Sequence, residues 1–188
     1  YRKNECLRAL KDCDYVFLFD DDCFPIADGW AEYFIDCYQE TLQHHFLYLK
    51  NTSYIKWENT IKVTSPTPTL KVTSIGVYNN CGGCFMFLTK EVIEKVGGFF
   101  KDYKYYGLEH AGYSERIYNA GLTPMGKYLC PSDAYKYIYS LDYDNHLSFN
   151  KDINHHTSLR EEIFKINDYI NENKIIFDRD ILTIYQPL

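Results

Sequence analysis

The sequence predicts an α/β domain whose mainly parallel sheet is flanked by helices. Three observations lead there. Tyr15-Val16-Phe17-Leu18-Phe19 is an unbroken run of aromatic and aliphatic residues, the pattern of a strand covered on both faces. Short apolar runs of this kind alternate with stretches of helical period. Hydrophobic residues make up 46% of 188, enough for one sizeable core and too many for a disordered chain. The span 1–188 therefore reads as a single domain or the C-terminal portion of one, with a terminal helix and tail over 157–188.

The elements follow in order. Arg2 to Lys11 has Cys6, Leu7 and Leu10 on one face and predicts a short amphipathic helix. The strand Tyr15–Phe19 comes next, with Asp20-Asp21-Asp22 directly at its C-terminal end. Pro25, Asp28 and Gly29 mark a turn, and Asp28 is placed to cap the following helix. That helix, Trp30 to His45, carries Trp30, Phe34, Cys37, Tyr38 and Leu42 at helical spacing. Strands are expected at Phe46–Leu49, Lys71–Tyr78 and Cys84–Leu88, with 50–70 as a loop or an irregular edge hairpin. Thr89 can cap a helix over Lys90–Val96 that Gly97-Gly98 ends. Glu109 opens a helix that Gly121 stops near Ala120. Tyr135–Tyr139 predicts a last strand, and Thr157 or Ser158 starts a terminal helix through Asn173.

Composition excludes several functions. The net charge is -6 and no basic run occurs, so nothing is built to track a nucleic-acid backbone. No apolar stretch reaches the roughly 18 residues of a membrane span. No leader-like segment opens the sequence. Seven Cys, an odd number spread along the chain, favour free thiols in a reducing, cytoplasmic setting. Cys81-Gly82-Gly83-Cys84 is a C-x-x-C without the second pair a structural zinc needs. Nineteen Tyr suit sugar faces and ordinary packing alike.

The aspartate cluster carries the chemistry. In open α/β sheets ligands bind beyond the carboxyl ends of the strands. Three adjacent carboxylates there repel one another, and a divalent cation removes that cost. Asp20 and Asp22 have period-two spacing, so on extended backbone they point the same way. Hard oxygen ligands select Mg²⁺ or Mn²⁺, which also hold a diphosphate. An acidic turn that merely caps the next helix is the plainer alternative.

Phe17-Leu18-Phe19-Asp20-Asp21-Asp22-Cys23-Phe24-Pro25 resembles the D-x-D segment of GT-A glycosyltransferases of the family 2 kind. The stretch from Asn4 is similar to the helix and strand that precede it. Phosphatases of the HAD type also place D-x-D after a strand, but with Thr or Val where Phe24 stands. A second block follows: Gly82-Gly83, the strand, the short helix, Gly97-Gly98-Phe99, then Gly107-Leu108-Glu109 and Arg116. This order is similar to the acceptor-side segment of family 2 enzymes and of polypeptide N-acetylgalactosaminyltransferases. The resemblance covers about Asn4 to Gly121.

It implies a GT-A sheet with Mn²⁺ or Mg²⁺ held by Asp20 and Asp22. A UDP-sugar donor would lie on Asp20, Asp21, Asp22, Gly82 and Gly83, and a glycan or other hydroxyl acceptor would take the sugar, with inversion. His146 is the preferred further metal ligand, with His155 and His156 as alternatives, and Lys151 and Arg160 are candidates to steady the diphosphate. Glu109 is the first choice for the base, with His110 or Asp102 as alternatives. His110 departs from the Asp or Asn usual after that Glu, and Asp102 is displaced by one position from the family pattern. Arg116 is mainly structural in the family. Only 19 residues precede Asp20, so further sequence or a partner is expected to supply the base pocket. The alternatives are a HAD-type phosphatase or a non-catalytic carbohydrate-binding domain on a degenerate transferase fold.

Overall fold

The computed structural model describes residues 2–49, 61–63, 75–78, 82–100, 103, 109–141 and 157–176. They form α1 (Arg2–Ala9), β1 (Tyr15–Phe19), β2 (Cys23–Pro25), α2 (Trp30–Thr41), β3 (His45–Leu47) and β4 (Ile61–Val63). After these come β5 (Ile75–Tyr78), β6 (Phe85–Thr89), α3 (Lys90–Val96), α4 (Glu109–Asn119), β7 (Tyr128–Pro131), β8 (Ile138–Ser140) and α5 (Thr157–Glu172).

The central sheet has the order β1-β6-β3, and β6 runs antiparallel to both neighbours. β2 pairs with β8, and β5 pairs with β4 and β7, all antiparallel. The expected mainly parallel sheet is therefore not what the described strands form. β1 and β3 do run the same way, with α2 as the crossover between them, but β6 is inserted in the gap. The unbroken apolar runs report burial on both faces, and that holds here without parallel pairing.

Registration shows how. Phe17, Phe87 and Phe46 lie in one row across the sheet, with Phe19 and Phe85 beside them. These rings pack on Phe34 and Trp30 of α2, Phe17 lying 4.8 Å and Phe34 4.6 Å from their respective partners Trp30 and Phe85. The alternate residues Val16, Leu18, Leu47, Met86 and Leu88 face the other way, onto Leu7 of α1, Val92 and Val96 of α3, and Ala111, Tyr113 and Ile117 of α4. Period-two alternation thus feeds two cores on opposite sides of one sheet. Tyr33, Tyr48, Tyr113 and Tyr128 are buried, so these tyrosines serve packing.

Several local expectations change. Asp28 does not cap α2. Gly29 holds that position with φ 76 and no side-chain cap bond, because only glycine enters the left-handed region there without strain. α2 ends at Thr41 rather than His45, since His45 is drawn into β3 opposite Leu88. Thr89 is the N-cap residue of α3, but its hydroxyl meets His44 Nδ1 at 2.9 Å instead of capping. Gly97 (φ 76) and Gly121 (φ 75) end their helices as expected. The strand expected at Tyr135–Tyr139 splits into a 3-10 turn, Ala134–Lys136, and β8. Short β2, β4 and β7 carried no separable sequence signal; β4, from within 50–70, pairs not inside that stretch but with β5, which falls in the strand expected at Lys71–Tyr78.

Candidate active site

β1 and β6 run on by one rung beyond Phe19–Phe85, where the Asp20 N–H donates to the Cys84 carbonyl at 2.8 Å. This bond sets the first aspartate beside the Gly82-Gly83 pair. The chain then turns, with Cys23 N–H donating to the Asp20 carbonyl at 3.1 Å, and leaves as β2. Asp20 to Asp22 are thus a turn, not extended backbone, and the period-two argument for a shared direction does not hold. Asp21 is exposed and Asp22 half-buried, and the Asp22 carbonyl accepts the Leu141 N–H at 3.0 Å.

Lys3, in the first turn of α1, gathers the two motif blocks. Its Nζ lies 3.1 Å from Asp20 Oδ1, 3.2 Å from Glu109 Oε1 and 3.3 Å from the Gly83 carbonyl. The three ammonium protons match three oxygens. The Lys3, Asp20 and Glu109 side chains are 24%, 39% and 26% exposed, partly dry but open on one side. α1 is held in place for this: Asn4 Nδ2 donates to the Phe99 carbonyl at 2.8 Å, and Phe99 N–H donates back to Asn4 Oδ1 at 2.7 Å.

Glu109 opens α4, where the helix dipole favours a negative charge. Burial pushes its pKa up, but His110 and Lys3 outweigh burial and hold the carboxyl at about 2. Burial likewise pulls the Lys3 ammonium down, and the Glu109 and Asp20 carboxylates outweigh that and hold it above the ordinary lysine value. Glu109 is therefore a carboxylate, and Lys3 a cation, at any neutral pH.

His110 sits against Gly83, with its Nδ1 3.9 Å from Glu109 Oε1. A methyl group on Gly83 would come within 2.4 Å of His110 Nδ1, so the glycine makes room for the imidazole. Behind it, His45 is fully buried, Nδ1 at 2.9 Å from the Phe87 carbonyl and Nε2 at 2.8 Å from Ser114 Oγ. A carbonyl only accepts, so Nδ1 carries the proton and Nε2 accepts from Ser114. Ser114 stands four residues after His110 and so on the same side of α4.

The structure thus brings together Asp20, Gly83, Glu109 and His110, and shows no contact of the Asp21 or Asp22 side chain with them. His146, His155, His156, Asp102 and Lys151 lie outside the described residues, as does the side chain of Arg160. Among the described residues no three His, Cys, Asp or Glu are arranged to hold a metal. Arg116 is fully buried, donating to the Val96, Gly98 and Ile176 carbonyls, and is structural, as the resemblance implied. Nothing in the sequence singles out Lys3, because a lysine in an amphipathic helix carries no local mark of what it will meet. A cleft of about 450 Å³ opens at the far end of β1, by Asp14 and Tyr15, remote from this convergence and lined by exposed Lys–Glu pairs of α3. The six described cysteines are free thiols, and no helix among the described residues is long and apolar enough to cross a membrane.

Comparison with known proteins finds one clear similarity. Over 127 residues the chain is 32% identical to a protein named uncharacterized glycosyltransferase R363, from Acanthamoeba polyphaga mimivirus. The match covers 65% of this chain and 46% of that protein, so the chain spans about half the length of its relative. No protein-family model and no solved structure matches the chain.

Proposed function

We propose that this chain carries the acceptor-facing and cation-binding part of a GT-A glycosyltransferase that moves a sugar from a UDP-sugar to an acceptor hydroxyl, with inversion. The observation that carries the reading is the meeting of two distant motif blocks at one point. Asp20 of the D-x-D and Glu109 of the acceptor-side block lie on the same ammonium, 3.1 and 3.2 Å away, beside the Gly83 carbonyl. The similarity to a protein named a glycosyltransferase supports the same class.

Asp20 suits a hard divalent cation, because its carboxylate oxygen already lies 3.1 Å from a positive charge. Asp20 and Asp22, with His146, would hold Mn²⁺ or Mg²⁺, which when bound supplies positive charge against a leaving diphosphate. The protein's own groups supply the rest. Glu109, ionised and half-buried at the tip of α4, accepts the hydrogen bond and then the proton of the acceptor hydroxyl. Movement of Lys3 or His110 away from it raises its basicity as the proton arrives. Gly83, by leaving room for the His110 ring, lets the start of α4 come up against the end of β6.

A thermal-shift comparison of UDP-sugars with and without Mn²⁺, joined to a transfer assay, tests this reading. A uridine diphosphate compound is expected to stabilise the protein only with metal present, and Asp22→Asn to abolish the shift. Glu109→Gln is expected to keep the shift and lower transfer by about 100-fold or more. Equal shifts in chelator, or full transfer by Glu109→Gln, would overturn it.

A further inference from the structure

Asp20, which the proposed function offers to a divalent cation, already lies against a positive charge. Lys3 Nζ has three acceptors at hydrogen-bond range, two of them carboxylate oxygens from elements 17 and 106 residues away along the chain. The ammonium is not there by the chance of a long side chain on a surface. Asn4, the next residue, fixes the first turn of α1 to the Gly98-Phe99 turn by a reciprocal pair of hydrogen bonds. The stem also passes over Phe99, with Nζ 5.9 Å from the ring centre. Among the described lysines, Lys11 and Lys95 are 51% and 52% exposed, and Lys3 is 24%.

We propose that Lys3 is the resident cation of this site: it neutralises and draws together Asp20 and Glu109, and a divalent cation that binds Asp20 does so by displacing it. This rests on the reading of Asp20 as a cation ligand. The reason is electrostatic. Two positive groups on one carboxylate repel, and a half-buried setting screens that repulsion less than water would. Loss of the ammonium leaves two carboxylates and a carbonyl facing one another uncompensated, which favours any other cation. Lys3 is thus a positioning residue, releasing Glu109 as the cation takes Asp20.

Two measurements on the whole chain test this without sugar transfer. Acylation of amines, mapped by mass spectrometry, is expected to label Lys3 more slowly than Lys11 or Lys95 in metal-free protein, and faster once Mn²⁺ is added. Isothermal titration with Mn²⁺ alone is expected to show Lys3→Met binding about tenfold tighter than the native chain, and Lys3→Arg binding as the native chain does. Labelling of Lys3 as fast as Lys11 without metal, unchanged labelling with it, or equal or weaker Mn²⁺ binding by Lys3→Met would each overturn the proposal. Labelling of the native chain does not depend on how well a variant folds. Tighter Mn²⁺ binding by Lys3→Met without any transfer by the native enzyme would support the displacement and sink the glycosyltransferase reading instead.

Discussion

His45 shows how a single residue ties the sheet to the helix that carries Glu109. It is buried, and its ring spans the Phe87 carbonyl and the Ser114 hydroxyl. Burial, chiefly, lowers its pKa from 6.5 to about 4, the Phe87 carbonyl opposing this and the nearby His110 adding to it. The sign follows from linkage. Between these values the unfolded chain takes up a proton that the folded chain refuses, so stability rises with pH across that window. The midpoint of urea unfolding is expected to fall as pH is lowered from 6.5 to about 4, with little further contribution below. In His45→Gln that part of the slope should vanish, at a cost in overall stability. A slope unchanged in the variant would mean that His45 is not the group refusing the proton.

Among the elements, α4 is the one whose seat matters most. It brings Glu109 and His110 to the end of β6 because Gly83 has no side chain. A Cβ at Gly83 would lie 2.4 Å from Nδ1 and 2.5 Å from Cγ of His110. The ring must move. Gly83→Ala is expected to destabilise the protein by about 1–3 kcal/mol, the ordinary cost of overpacking, in urea unfolding. The companion change His110→Ala empties the space and should restore most of that loss in the double variant, since neighbouring sites couple. Additive losses would show that the imidazole is not what the glycine accommodates.

At the scale of the molecule, the Arg116 guanidinium joins three parts of the chain. It is wholly buried and donates to the carbonyls of Val96 in α3, Gly98 in the following turn, and Ile176 just beyond α5, while lying 4.4 Å from the centre of the Phe100 ring. Asn119 adds bonds from α4 to the Ile170 and Ile175 carbonyls. Arg116→Met keeps bulk and removes every donor, leaving buried carbonyls unpaired, and is expected to cost about 3 kcal/mol or more. Hydrogen exchange should show α5 opening before the central sheet in that variant. Uniform loss of protection would instead place Arg116 in the common core.

Sequence alone determined where most elements lie. β1 and α3 have the bounds read from their residues, and α1, α4 and α5 differ only at their C-terminal ends. Burial period is a local property, and two covered faces make an unbroken apolar strand whichever way its neighbour runs. For that reason the strands were legible and their direction was not: β6 lies between β1 and β3 only because the chain returns after about forty residues, a fact no window contains. Asp20, Gly83 and Glu109 stood out one by one as residues suited to a crevice. Their convergence, and the lysine at its centre, came from tertiary structure alone. Lys3 meets Gly83 and Glu109 across 80 and 106 residues of chain, and its setting is made entirely of groups that its own helix does not supply.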